Sequence, residues 1–69
     1  MSKIKIILNG EEREINSGLT IKNLAEELEL DLDKIAVEKD LEIINIDDFE
    51  KIIIDEGSRI EIVHFIGGG

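Results

Sequence analysis

Arg59-Ile60-Glu61-Ile62-Val63-His64-Phe65-Ile66-Gly67-Gly68-Gly69 is the stretch whose reading decides the fold. Its first part is β-branched and alternating, which is the pattern of a strand. Its last part is three glycines, which hold no strand and bury nothing. The expectation is an anchored strand that feeds a short, bare tail ending in a glycyl carboxylate. No side chain there obstructs entry into a narrow channel, and the acyl carbon is open to reaction. The competing reading is a frayed end or a cloning remnant with no role.

Alternation along this strand sorts its side chains. Ile60, Ile62, His64 and Ile66 share one face, and Val63 and Phe65 share the other. Two residues further back, Gly57-Ser58 closes a turn that starts at Asp55-Glu56. At the opposite end of the chain, Lys3-Ile4-Lys5-Ile6-Ile7-Leu8 alternates in the same way. Ile4, Ile6 and Leu8 face one side, and Lys3, Lys5 and Ile7 face the other. Asn9-Gly10 is a strong hairpin signal, and Glu11 to Ile15 reads as the return strand. Lys3 and Lys5 are expected to face glutamates across the hairpin.

The period then changes. Ile21, Leu24, Ala25 and Leu28 fall at i, i+3, i+4 and i+7, the stripe of a helix. Thr20 is the N-cap candidate, and Asn23 stands where a capping box carries Glu or Gln. Leu30 or Leu32 closes the helix onto the core. Ile35-Ala36-Val37-Glu38-Lys39 reads as a third strand, and a short strand is expected around Leu41 to Ile44. Asn45 to Phe49 reads as a helical turn capped by Asn45 or Asp47. Lys51 to Ile54 fits a helix end or an extended stretch equally. A hairpin, one helix and further strands imply a small α+β layer pair. The last strand is expected beside the first, parallel to it, at the sheet centre. If the helix covers Ile60 and Ile62, then Val63, Phe65 and Ile7 form an apolar patch on the open side, suited to partner docking unless loops cover it.

Composition bounds the function. The chain has 69 residues and no cysteine, so one small domain must be held by aliphatic packing alone. Phe49 and Phe65 are its only aromatics. Seventeen acidic residues against eight basic ones give a net charge of −9. Such a surface repels nucleic acid and anionic membranes, and suits a partner with a basic face. No apolar run approaches the ~20 residues of a membrane span, and no signal peptide is evident, so a cytoplasmic protein is expected. His64 is the lone histidine and lacks companions for a metal site. The acidic pairs Asp31/Asp33, Asp47/Asp48 and Asp55/Glu56 lack the alternation of a calcium loop. No nucleophile–base set and no nucleotide-binding glycine motif is evident. No metal and no catalytic residue is assigned.

The hairpin at Asn9-Gly10, the entry Gly18-Leu19-Thr20 into a leucine-striped helix, the strand Ile35-Ala36-Val37, the segment Glu56 to Ile62 and the final Gly68-Gly69 together resemble the ThiS family, the sulfur carriers of thiamine biosynthesis. The resemblance covers nearly the whole chain. One departure lies in Asp40 to Asp48, where relatives often carry a turn and a proline and this chain is expected to have neither. The resemblance implies a ubiquitin-like β-grasp fold, with four to five strands in a mixed sheet on one main helix. It implies a single domain over residues 1–66 and a flexible tail over 67–69. It also implies a carrier that does no catalysis and binds no cofactor. A ThiF-like, E1-like adenylyltransferase would use ATP to activate Gly69. Sulfur from a persulfide donor would then leave a thiocarboxylate, for use by the thiazole synthase ThiG. Gly67 and Gly68 would thread the tail into each partner, with Val63, Phe65 and Ile7 docking them. A monomer is expected when free. The rival readings are the small subunit of molybdopterin synthase, a ubiquitin-like modifier, and an interaction module whose glycines are inert.

Overall fold

Period-two alternation in Lys3–Leu8 makes the first strand, β1, and Asn9-Gly10 turns the chain into β2, Glu11–Asn16. Both turn residues have positive φ (50° and 83°), the pairing of a tight two-residue hairpin loop. The computed structural model describes residues 2–65. Three further strands are β3 (Ile35–Lys39), β4 (Glu42–Ile44) and β5 (Arg59–His64), and the helix α1 spans Ile21–Glu27. The five strands form one mixed sheet in the order β2-β1-β5-β3-β4. The last strand is therefore central and parallel to the first, as expected.

Hairpin register places Lys5 opposite Glu14, but Lys3 opposite Asn16 and Ile7 opposite Glu12. The expected glutamate partner of Lys3 is thus absent, because the two-residue turn at Asn9-Gly10 fixes a register that puts Asn16 opposite Lys3. Helix α1 is capped by Thr20, whose Oγ1 accepts from Asn23 N at 3.1 Å. Asn23 Oδ1 accepts from Thr20 N at 3.1 Å in return. The capping box is complete with asparagine in the place usually taken by Glu or Gln. The helix ends without glycine. Glu29 takes φ 60°, while its N–H donates to Glu26 O and that of Leu30 to Ala25 O. This is a Schellman closure with glutamate in the left-handed position.

Leu30 and Leu32 both pack against the core, the latter from a 3₁₀ turn over Leu32–Lys34. β3 and β4 are joined through Asp40 and Leu41, at φ 51° and 74°. A tight turn therefore exists where the sequence shows no glycine, asparagine or proline to mark it. Asn45 precedes a 3₁₀ turn over Ile46–Asp48, without a side-chain capping bond. The ambiguous stretch Lys51 to Ile54 is half of each: Lys51 N and Ile52 N donate to Asp48 O and close the turn, after which Ile53 bridges Thr20, with Ile21 N and Ile54 N donating to Ile52 O and Leu19 O respectively.

The core lies between the sheet and α1. Ile6, Ile21, Leu24, Val37, Ile54 and Ile60 are fully buried, and Phe49 is the one aromatic among the buried residues. Each such aliphatic side chain contributes about 1.5–3 kcal/mol by leaving water. Ser58 is the buried polar side chain, and its Oγ accepts from Asp55 N at 3.1 Å. That bond closes the turn from which β5 starts. Among the described residues no helix is long and apolar enough to cross a membrane.

Candidate functional site

The site is built around the exit of β5. On one flank β3 pairs with β5 through five residues, from Lys39 opposite Ile60 to Ile35 opposite His64. Beyond the strand, Phe65 N donates to Lys34 O at 2.7 Å. On the other flank β1 stops at Leu8, yet β5 continues. Asn9 fills the gap. Its N–H donates to Ile60 O at 2.9 Å, and its Oδ1 accepts from Ile62 N at 2.8 Å. The side-chain carbonyl occupies the place of the next strand carbonyl, so the parallel ladder runs on past the hairpin turn. The start of β5 is held too. Ile7 N donates to Ser58 O, Gly57 N to Lys5 O, and Lys5 N to a Glu56 carboxylate oxygen at 2.8 Å.

Gly67, Gly68 and Gly69 lie outside the described residues, as does Ile66. The carboxylate role of Gly69, the threading role of Gly67 and Gly68, and the tail boundary at 67 lie there with them. The strand that leads to them is held on both sides to within a few residues.

Alternation puts Ile60 and Ile62 under the helix, and Val63 and Phe65 on the open face, 60% and 52% exposed. No loop of the described residues covers them. Ile7 lies on the same face but is half-buried and sits opposite Arg59. Arg59 is four residues from Val63, about 13 Å along the strand. Ile7 therefore does not join the Val63/Phe65 patch, because β1 ends before it reaches Val63. The apolar neighbours come from the other side. Ala36 lies opposite Val63, and Ile43 of β4 lies across Glu38 from Glu61. Ala36, Ile43 and Val63 wall a shallow hollow of about 110 Å³, flanked by Glu38 and Glu61. Ile43 is 78% exposed. The sequence signal for it was the pair Ile43-Ile44: once Ile44 packs on the core, its neighbour must face outward.

His64 pairs with Ile35 and is exposed at the rim of the core. At the other end of β5, Asp40 makes a polar knot. Its carboxylate accepts from Arg59 N at 2.9 Å and from Lys39 Nζ at 3.1 Å. The Arg59 backbone N–H, followed by Lys39, holds the Asp40 carboxyl below its ordinary value. The knot pins the β3–β4 turn to the start of β5.

Among solved structures, a thiamine biosynthesis protein (ThiS) from Geobacter metallireducens superposes with a TM-score of 0.82 at 22% identity, covering 96% of this chain and 100% of that one. At that identity the likeness is one of fold, and it matches the expected β-grasp of four to five strands on one main helix, with five strands observed. A thiazole synthase of Paramagnetospirillum magneticum is 41% identical over 66 residues, and one of Magnetococcus marinus is 36% identical over 66 residues. The aligned part is 96% of this chain but 20% of each of those proteins. This chain thus spans about a fifth of the length of the curated relatives it matches. The family model described as the ThiS family matches residues 6–69, from within β1 through the last glycine. This chain belongs to the ThiS family.

Proposed function

We propose that this chain is a sulfur carrier of thiamine biosynthesis, with the carboxylate of Gly69 as its reacting group. A carboxylate is a poor electrophile, so it needs activation before sulfur can add. An E1-like adenylyltransferase would join it to AMP at the expense of ATP, with pyrophosphate leaving. A persulfide would then displace AMP through its terminal sulfur, and attack of a thiol on the resulting acyl disulfide would release the thiocarboxylate as a new disulfide forms; thiazole synthase would consume the thiocarboxylate. The chain supplies the acyl group and a docking surface, and the catalysis belongs to its partners. Three extended glycines reach about 10 Å, enough to enter an active site that the folded body cannot. Ordering them costs roughly 1–2 kcal/mol per residue, which docking of the body offsets.

The observation that carries this reading is family membership over residues 6–69, which includes the three glycines. The held root of β5 supports it: a tail is delivered with direction only if its base is fixed. The names of the relatives favour thiamine over molybdopterin, since both are thiazole synthases. The test is intact-mass measurement after incubation with the cognate adenylyltransferase, ATP and a sulfur source. The mass should rise by the difference between one sulfur and one oxygen. Deletion of Gly69 should abolish that rise without changing the thermal midpoint. An unchanged mass with the full chain and an active partner would refute the carrier role.

A further inference from the structure

The hollow on the open face is walled by Ala36, Ile43 and Val63, and two carboxylates, those of Glu38 and Glu61, stand at its edge. Glu38 and Glu61 lie directly opposite each other on β3 and β5. Like charges in that arrangement disfavour the sheet. Among the described residues neither takes part in an ion pair, and Arg59, two residues along the same face from Glu61, pairs with neither of them. Nothing in the fold requires this juxtaposition. The residues beside it are apolar and exposed: Ile43 at 78% and Val63 at 60%. The volume of about 110 Å³ suits one side chain and no more.

We propose that this hollow docks thiazole synthase through an aliphatic side chain set beside a basic one, the basic group lying between Glu38 and Glu61. The inference rests on the function proposed above and names the contact that would serve it. Directly opposed residues have Cβ atoms about 5 Å apart, so one cation can reach both carboxylates, and a guanidinium can donate to both at once. Thiazole synthase is the occupant because the relatives named so carry a stretch like this chain within one longer polypeptide. A charged rim around a small apolar centre also gives fast, specific encounter without tight retention, which suits a carrier that must leave.

The test compares three forms of the full chain for binding to thiazole synthase from the same source, by calorimetric titration at low and moderate salt. Glu38→Gln/Glu61→Gln should weaken binding roughly tenfold and flatten its salt dependence. Glu12→Gln/Glu14→Gln removes the same charge from β2 on the same face, and should change the dissociation constant less than about twofold. Equal effects from the two pairs would overturn the proposal in favour of diffuse attraction. So would unchanged binding by the first pair. Removing two opposed like charges should leave the thermal midpoint of the first variant equal or higher, which excludes misfolding as the cause of weaker binding. Sulfur loading separates the two levels of inference. If the wild type loads sulfur but the Glu38/Glu61 variant binds thiazole synthase normally, the docking contact is wrong and the carrier role stands. If the wild type neither loads sulfur nor binds thiazole synthase, both fall.

Discussion

Three side chains, Glu29, Asp40 and Leu41, sit where the backbone prefers glycine or asparagine. A left-handed conformation costs an ordinary L-residue about 1–2 kcal/mol. Leu41 carries that cost while being 78% exposed, so its side chain recovers little from burial. Leu41→Gly should therefore stabilise the fold by roughly 0.5–1 kcal/mol after the greater unfolded-state entropy of glycine is counted. Glu29→Gly should act in the same direction, because glycine is the usual residue at that step of a Schellman closure. Thermal or urea unfolding of the two variants, singly and together, checks both; the sites are separate, so the effects should add. Asp40 is different, since its carboxylate is used. Its folded pKa is depressed by the Arg59 N–H and Lys39, so its contribution is present above the unfolded value and is lost as pH falls through the folded one. Asp40→Asn keeps an acceptor for Arg59 N but loses the attraction to Lys39. The variant should be less stable than the wild type at neutral pH, and the gap should close as pH drops well below about 3.9. A gap independent of pH would show that the carboxylate charge does nothing there.

At the scale of the element, β5 is the part on which everything else depends. Its middle is the core: Ile60 is fully buried and Ile62 nearly so. Its exit is held by a side chain on one flank and by β3 on the other. Asn9→Ala removes the acceptor for Ile62 N at a place where β1 has no further backbone to offer. The amide of Ile62 should then exchange with solvent markedly faster, while those of Ile6 and Val37, deeper in the sheet, change little. Hydrogen exchange followed residue by residue reads this directly. Asn9→Asp retains an acceptor oxygen and should preserve much of the protection. Sulfur loading of the Asn9→Ala variant should fall if a fixed root is what directs the tail, and persist if the partner alone orders it.

The whole molecule carries a net charge of −9 on 69 residues. That charge repels itself in the folded state, and screening relieves it over a Debye length of about 8–10 Å at physiological salt. Moderate salt should therefore raise the thermal midpoint of the free chain while weakening its binding to a basic partner. The opposite signs distinguish the two uses of the charge, and a common sign would contradict this account. The chain has no cysteine, so no disulfide supports its core. Ile60→Ala should cost roughly 2–5 kcal/mol, a large share of what so small a domain has. Circular dichroism during denaturation would show it as partly or wholly unfolded.

The sequence by itself determined the elements with regular periods. Alternation marked both terminal strands, the i, i+3, i+4, i+7 stripe marked the helix, and Asn9-Gly10 marked the hairpin, because each rests on contacts between near neighbours. It also placed the last strand beside the first, since two apolar alternating ends in so small a domain have few other places to go. Left-handed Glu29, Asp40 and Leu41 were not legible, because their conformations are imposed by the elements on either side against their own preference. The composition of the docking face was legible only in part. Val63 and Phe65 followed from alternation, whereas the separation of Ile7, the approach of Ala36 and Ile43, and the opposition of Glu38 to Glu61 depend on the register between strands far apart in the chain. That register is decided by how the buried faces interlock under the helix, and only the tertiary structure contains it.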